Sequence, residues 1–343
     1  MSTSSQENSR KKIIEAIQHH QHQWTVENLL EGISCGNIAA LSNAITFSES
    51  TLPAHRLLTD ALIERLPPTS ISSFRVGITG VPGVGKSTLI EQLGLQWIKE
   101  GFKVAVLAID PTSPITHGSI LGDKTRMEQL SLNTNAFIRP SPSSLSLGGV
   151  ATHTHEAILL CEAAGFNRII IETVGVGQSE IAVHHLTDCF LLLMLAGAGD
   201  QLQGIKRGIM EMCDLMAITK ADQQNEIAAK KAQTEYQQAL HLFPARTDGW
   251  TPKVLTTSHT NAQSIEELRN AIEGYYEWSL PRQLSEKRKE QKKHLLQEEW
   301  FYRIQQHYQQ IAGFNEQWES LENQLANQQI SLSKAIETLL NWK

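Results

Sequence analysis

One glycine-rich segment, residues 80–87, constrains the fold of this 343-residue chain more than any other feature. Its sequence, Gly-Val-Pro-Gly-Val-Gly-Lys-Ser, matches the pattern G-x4-G-K-[ST]. An apolar run typical of a β-strand, residues 76–79, comes directly before it, and a helical pattern follows it. In that setting the glycines let backbone N–H groups surround phosphate oxygens, and the helix dipole favours negative charge at the same point. The segment therefore predicts a strand–loop–helix unit that holds the phosphates of a nucleotide.

The residues of this loop have distinct predicted roles. We expect Lys86 to reach the β- and γ-phosphates and the Ser87 hydroxyl to ligate Mg²⁺. The residues predicted to contact the nucleotide here are Gly80, Val81, Pro82, Gly83, Val84, Gly85, Lys86, Ser87 and Thr88.

Short apolar runs alternate with longer amphipathic segments after residue 75, which is typical of a mostly parallel sheet covered by helices. The predicted strands are residues 76–79, 104–109, 169–173, 190–195, 215–219 and 254–257. The predicted helices begin near residues 86, 121, 150, 201, 223 and 264. The fold class is therefore predicted to be α/β, with a doubly wound, mostly parallel sheet.

Helical patterns flank this region on both sides. The expected organisation is a helical N-terminal extension over residues 1–70, a nucleotide-binding domain over residues 71–280 and a C-terminal helical arm over residues 281–343. Six apolar residues of the arm fall on one face of a long helix: Leu295, Leu296, Trp300, Ile304, Tyr308 and Ile311. That face needs a partner, which is either the chain's own domain or a second copy, and we expect a homodimer.

Composition limits the other partners. A formal net charge of −6 gives no basic field for nucleic acid or an anionic membrane surface. The longest apolar run, residues 190–196, is too short to cross a bilayer, and the four cysteines form no CxxC pair. We therefore expect a cytoplasmic protein with reduced cysteines, with no nucleic-acid partner and no membrane partner.

The segment Thr219-Lys220-Ala221-Asp222 follows a predicted strand and resembles the [NT]KxD element of GTPases. Asp222 would accept hydrogen bonds from N1–H and the 2-amino group of guanine, whereas adenine lacks that pair of donors. The element therefore predicts GTP and GDP as ligands, with GTP preferred to ATP. Because threonine replaces the commoner asparagine, we expect a weaker bond from Thr219 to the phosphate loop and the base.

Acidic residues stand at the ends of two predicted strands. Asp110 and Glu172 would lie beside the nucleotide, where they could hold Mg²⁺ and position the attacking water. Gly175 resembles the glycine whose N–H meets the γ-phosphate in GTPase switches. Val176 stands where many GTPases have a catalytic glutamine, so slow intrinsic hydrolysis is expected unless Gln178, Asp110 or a partner supplies that function.

Together these motifs resemble the methylmalonyl-CoA mutase-associated GTPases (MeaB/ArgK-like), a family also known as arginine/ornithine transport ATPases. The family belongs to the same class as the signal-recognition-particle and nickel-insertion GTPases. The resemblance is carried by residues 77–88, 106–111, 118–127, 137–142, 147–151, 172–180 and 197–206.

The resemblance implies a GTP-hydrolysing chaperone that binds an adenosylcobalamin-dependent acyl-CoA mutase. Such a chaperone gates cofactor loading and protects or reactivates the mutase, which in turn stimulates hydrolysis. By the same resemblance Ser87, Asp110, Asp123 and Glu172 surround Mg²⁺ and the γ-phosphate. Residues 118–127, 175–180 and 197–206 are then mobile switches.

The chain departs from the family pattern near the predicted base pocket. Ser258 and His259 stand where a Ser-Ala pair usually contacts the guanine edge. Both residues are therefore assigned to nucleotide binding, with an altered affinity expected.

Two other functions remain open from the sequence. A nickel-insertion GTPase is suggested by the histidines at positions 19, 20 and 22 and by the pair His184-His185, although no Cys-His pair lies near a switch. A P-loop kinase could use the same phosphate loop, although no acceptor pocket is apparent and the segment 219–222 favours guanine.

Overall fold

The computed structural model describes residues 24–50, 52–67, 73–110, 127–142, 147–173, 179–197, 207–222 and 225–342. The described residues form one sheet of seven strands, in which every neighbouring pair is parallel. The strand order is β3-β2-β4-β1-β5-β6-β7. The strands are β1 (Phe74–Gly80), β2 (Val104–Asp110), β3 (Ala136–Pro142), β4 (Arg168–Thr173), β5 (Cys189–Leu195), β6 (Leu215–Thr219) and β7 (Lys253–Thr256). The prediction of a doubly wound parallel sheet is confirmed.

Helices precede, connect and follow the strands. Those before β1 are α1 (Val26–Ser34), α2 (Ile38–Ser48) and α3 (Pro53–Glu64). Those between strands are α4 (Lys86–Lys99), α5 (Glu128–Ser131), α6 (Leu147–Ala163), α7 (Ser179–His184), α8 (Arg207–Met212) and α9 (Glu226–His241). After β7 come α10 (Ala262–Ser279), α11 (Leu284–Gln310), α12 (Phe314–Ala326) and α13 (Leu332–Leu340). Among these helices, none has the length and apolarity that spanning a bilayer requires.

Helices cover both faces of the sheet, which explains why the central strands β1, β4, β5 and β6 are buried along almost their whole length. On one face, α4 and α10 bury Trp97 and Tyr275 against residues of β1 and β5. On the other face, α6 packs with the three N-terminal helices, whose Leu29, Ile45 and Leu62 belong to the same core as the buried side chains of α9. The described part of the predicted N-terminal extension therefore contributes directly to the core around the sheet.

The chain divides into two compact units, with the boundary after Gln291 inside α11. The second unit, residues 292–343, contains the rest of α11 together with α12 and α13. Within it Phe314 and Leu321 are buried, and the rings of Tyr308 and Phe314 lie 5.5 Å apart. The prediction of one long helix is correct up to Gln310 and wrong beyond it. Ile311 lies past the helix end, and Gly313, at a φ of 78°, precedes a separate helix.

Strand β3 and helices α2 and α7 were not predicted. Strand β3 contains Pro140 and Pro142, which disfavour a strand, but it lies at the edge of the sheet, where a missing N–H donor is tolerated. Helix α2 begins after Asn37, whose side chain accepts hydrogen bonds from the N–H groups of Ala39 and Ala40. It is buried on much of its surface, so it lacks the clear amphipathic period on which the other predictions relied. The helices predicted near residues 121 and 201 start outside the described residues.

Buried charges join the start of α11 to the amino ends of the strands. The fully buried Asp188 carboxylate accepts hydrogen bonds from Arg288 Nε at 2.9 Å and Nη2 at 2.7 Å, and from the backbone N–H of Arg75 at 2.9 Å. Lys287 Nζ donates to the Asp188 carbonyl oxygen, and Gln291 Nε2 donates to that of Thr187, at 2.6 and 2.7 Å. These bonds fix the first two turns of α11 against the sheet.

We predict that Asp188→Ala lowers the free energy of unfolding by about 3–5 kcal/mol, because it leaves the buried Arg288 guanidinium without its partner. Urea unfolding of the full chain measures this loss. The matched control is Glu226→Ala, which removes an exposed carboxylate paired with Lys230 and should change stability little. Equal stability of the two variants would contradict the assigned role of Asp188.

Candidate nucleotide-binding site

The phosphate loop begins where β1 ends, between β4 and β5 at the carboxyl edge of the sheet. A Cβ atom on Gly80 would lie 2.6 Å from the carbonyl oxygen of Leu193, so a larger residue would push β1 and β5 apart. Gly83 and Gly85 have φ angles of 76° and 97°, which other residues rarely adopt. Gly85 immediately precedes α4. The glycines therefore permit the turn that brings the backbone to the start of this helix.

Lys86 is the first residue of α4 and is largely buried. Its Nζ donates to the carbonyl oxygens of Gly80 at 2.8 Å and Val81 at 3.3 Å, so the ammonium group lies against the loop. Burial lowers the pKa of Lys86, and the nearby carboxylates of Glu172 and Glu180 partly offset this effect. The site therefore contains a desolvated cation suited to phosphate oxygens.

Ser87 and Glu172 bring two oxygen donors together beside this lysine. Glu172 pairs with Ile78 in the register of β4 and β1, and the Ser87 hydroxyl donates to Glu172 Oε1 at 3.3 Å. A side-chain hydrogen bond between β4 and β1 joins the hydroxyls of Thr173 and Thr79 at 2.8 Å. Hydroxyl and carboxylate oxygens are the donors that Mg²⁺ prefers, so this pair fits the ion predicted from the sequence.

The remaining predicted residues of the phosphate end are only partly described. Asp110 is the last residue of β2, and the preceding residue, Ile109, pairs with Thr173 of β4. This register places the Asp110 backbone at the same edge of the sheet as Glu172. Asp123, Gly175 and Gln178 lie outside the described residues.

A separate cavity of about 200 Å³ lies between the phosphate loop and the segment predicted to bind the base. Its lining residues are Val84, Gly85, Thr88, Leu89, Thr219, Lys220, Asp222, Thr257, His259 and Ile265. Residues from three distant parts of the sequence thus line the same cavity. The apolar side chains of Leu89 and Ile265 and the residue Thr257 were not predicted, since nothing in their local sequence distinguishes them from core residues.

Thr219 links the segment predicted to bind the base, residues 219–222, to the phosphate loop. Its hydroxyl lies 2.7 Å from the carbonyl oxygen of Val84 and 3.2 Å from that of Met194, and its single hydrogen serves one of them at a time. We expected this residue to bond weakly to the phosphate loop, but the shorter contact has the length of a good hydrogen bond. Threonine therefore makes the link to the loop despite its shorter side chain.

The loop after β6 carries the other residues predicted to bind the base, Lys220 and Asp222. Lys220 has a φ of 56°, and its carbonyl oxygen accepts a bond from Asn225 Nδ2 at 3.1 Å. The Ala221 N–H donates to the carbonyl oxygen of Thr257 at 3.1 Å, which ties this loop to the one after β7. These bonds hold the half-buried Asp222 in the cavity wall.

Ser258 and His259 differ in their placement. Ser258 is buried, its N–H donates to Ser264 Oγ at 3.0 Å, and its hydroxyl lies 2.8 Å from that of Thr260. His259 is exposed and lines the cavity. In the described structure the Ser258 side chain therefore stabilises the loop, whereas His259 lies where a base could contact it.

The described residues give no support for a nickel site. Among them, no group of three or more histidine, cysteine or acidic side chains is arranged to hold a metal ion. His184 packs edge-on against Phe190 with ring centroids 5.5 Å apart, and burial lowers its pKa to about 3. His184 is thus a half-buried residue packed against the core, and the histidines at positions 19, 20 and 22 lie outside the described residues.

The parallel sheet, the glycine loop before α4 and the adjoining base segment define a P-loop nucleotide-binding protein. A sequence model of the family described as "Methylmalonyl Co-A mutase-associated GTPase MeaB" matches residues 41–311. The chain belongs to this family of GTPases, which confirms the resemblance found in the sequence. Membership implies the binding of guanine nucleotides.

Individual relatives agree with this assignment. The chain is 47% identical over 251 residues to GTPase ArgK of Escherichia coli, covering 73% of this chain and 76% of the relative. It is 41% identical over 335 residues to the "Methylmalonic aciduria type A homolog, mitochondrial" of Mus musculus, covering 93% and 80%. A crystal structure titled "LAO/AO transport system kinase" is 33% identical, with a TM-score of 0.72 and coverage of 92% of this chain and 96% of that one.

We predict that Thr219→Val lowers both stability and affinity for GDP, because the Val84 carbonyl loses its donor. The expected loss in unfolding free energy is about 1–3 kcal/mol, the cost of a buried polar group without its partner. Urea unfolding and calorimetric titration with GDP measure the two effects. Thr219→Ser keeps the hydroxyl and should retain most of both properties; a valine variant that matches the serine variant would show that the bond is unimportant.

Proposed function

We propose that this protein is a GTP-hydrolysing chaperone of an adenosylcobalamin-dependent acyl-CoA mutase, with methylmalonyl-CoA mutase as its client. In this role it gates cofactor loading and protects or reactivates the mutase. The proposal rests on one observation. The phosphate loop and Asp222 line the same cavity in a chain that belongs to the mutase-associated GTPase family. The family description names methylmalonyl-CoA mutase, and the name of the mouse relative refers to methylmalonic aciduria. Both names thus refer to methylmalonate, which supports methylmalonyl-CoA mutase as the client.

The proposed hydrolysis uses the two ends of the site differently. At the phosphate end Lys86 neutralises phosphate charge, while Ser87 and Glu172, with Asp110 and Asp123, hold Mg²⁺. At the base end Asp222 accepts hydrogen bonds from N1–H and the 2-amino group of guanine. The adenine base of ATP lacks this pair of donors. Gly175 contacts the γ-phosphate, and Gln178 is the candidate for positioning water. Val176 makes intrinsic hydrolysis slow, so the mutase acts as the stimulating partner.

The proposed homodimer forms through the C-terminal arm. Several large apolar side chains of the second unit are exposed to solvent. They are Leu296, Trp300, Phe301, Leu332 and Leu340. A second copy of the chain would cover them. We further propose that the protein acts in the cytoplasm, where its client would be.

The proposed function predicts that the purified cobalamin-dependent mutase of the same organism stimulates GTP hydrolysis by this protein and leaves ATP unhydrolysed. A partner that completes a GTPase site can raise the rate by orders of magnitude, so a rise above about tenfold is expected. Phosphate release with and without the mutase measures the effect.

Lys86→Ala is the control for this assay, since it should bind the mutase but lose tight GTP binding and hydrolysis. A nickel titration tests the alternative of metal insertion. Absence of both stimulation and a detectable complex with the mutase would contradict the chaperone proposal while leaving GTP binding intact.

A further inference from the structure

We propose that the hydrogen bond between the hydroxyls of Thr79 and Thr173 positions Glu172 for the Mg²⁺ ion of the nucleotide site. This role presupposes the GTPase function proposed above and adds two positioning residues to its phosphate end. The pair lies at the carboxyl edge of the sheet, where Thr173 follows Glu172 in β4 and Thr79 precedes Gly80, the first residue of the phosphate loop. The two hydroxyl oxygens are 2.8 Å apart.

Backbone pairing between β1 and β4 ends just before this point. The last paired residues are Ile78 of β1 and Glu172 of β4. Beyond them β1 stays paired with β5 as far as Gly80, and β4 stays paired with β2 as far as Thr173. The hydroxyl bond therefore links β1 to β4 at a position past their last backbone pair. It joins the start of the phosphate loop to the strand that carries Glu172.

Both hydroxyls are buried, since Thr79 and Thr173 are 1% and 0% exposed. Valine has a similar shape and would fill each position without burying a polar group. Packing alone therefore does not account for the two hydroxyls. Their bond holds the two oxygens 2.8 Å apart, whereas two methyl groups in contact would lie about 4 Å apart. The bond thus brings the ends of β1 and β4 closer together than apolar contact would.

A difference of this size matters at a metal site. Mg²⁺ needs oxygen ligands at about 2.0–2.1 Å in near-ideal octahedral geometry, so its ligands have to be held to within about 0.5 Å. Ser87 belongs to α4, directly after the phosphate loop, and its hydroxyl donates to Glu172 Oε1 of β4 at 3.3 Å. A bond that fixes β4 against the start of the loop therefore also fixes the distance between these two predicted ligands.

The test measures how tightly Mn²⁺, which replaces Mg²⁺, binds the isolated one-to-one complex of the full chain with the non-hydrolysable analogue GMPPNP. Electron paramagnetic resonance follows the free Mn²⁺, and calorimetry gives the affinity for GDP in EDTA. Thr173→Val should bind Mn²⁺ about 3–10-fold more weakly than the wild type, as expected for the loss of one hydrogen bond. Its affinity for GDP without metal should be unchanged. Thr173→Ser keeps the hydroxyl and should bind Mn²⁺ like the wild type.

A double variant separates positioning from stability. Each single valine variant leaves one buried hydroxyl without its partner, so its midpoint of urea unfolding should fall. Thr79→Val/Thr173→Val removes both hydroxyls and should recover much of that loss. Its Mn²⁺ binding should nevertheless stay weak, because the bond itself is missing. The matched control is Thr59→Val, which removes a buried hydroxyl of α3 and should leave the affinity for Mn²⁺ unchanged.

The inference is overturned if the double variant binds Mn²⁺ as tightly as the wild type, because the bond would then serve stability alone. It is also overturned if Thr173→Ser binds Mn²⁺ as weakly as Thr173→Val. A wild-type complex that holds GMPPNP but no Mn²⁺ would refute the metal-binding role of Ser87 and Glu172, and the inference with it. Failure of the wild type to bind guanine nucleotides would instead refute the proposed function on which the inference depends.

Discussion

At the carboxyl edge of the sheet, the Thr219 hydroxyl donates across 2.7 Å to the main-chain oxygen of Val84, with the Met194 carbonyl oxygen 3.2 Å away. These short distances connect the end of β6, the phosphate loop and the end of β5. The distance between the phosphate loop and the segment predicted to bind the base depends on this connection. A nucleotide has a fixed distance between its base and phosphates, so a rigid link here prepares both ends for one ligand.

Polar groups serve different purposes at the two edges of the sheet. At the amino edge Asp188 and Asp214 are fully buried, and both accept bonds from backbone N–H groups and contact basic side chains. At the carboxyl edge Lys86 and Glu172 are largely buried beside the phosphate loop, while Asp222 and His259 are more accessible. The fully buried carboxylates thus lie at the amino edge, and the predicted nucleotide-binding residues lie at the carboxyl edge, where open parallel sheets generally bind their ligands.

Much of this arrangement could be predicted from the sequence, because local patterns specify it. Residues 80–87 predicted the loop and its position between β1 and α4, and continuous apolar runs predicted six strands. Strand β3 could not be predicted locally, since its place at the sheet edge is what makes Pro140 and Pro142 acceptable. The bond of Thr219 and the burial of Ser258 depend on residues far away in the chain, so composition and spacing could not reveal them.

Competition between GDP and XDP in the wild type and in Asp222→Asn tests whether Asp222 accepts hydrogen bonds from the donor edge of guanine, on which the proposed function depends. Xanthine carries a carbonyl where guanine has its 2-amino group, so an asparagine amide could donate to it while a carboxylate cannot. The wild type should prefer GDP, and the asparagine variant should shift towards XDP by tenfold or more, on the order of 1.4 kcal/mol. An unchanged preference for GDP in the variant would show that the base lies elsewhere.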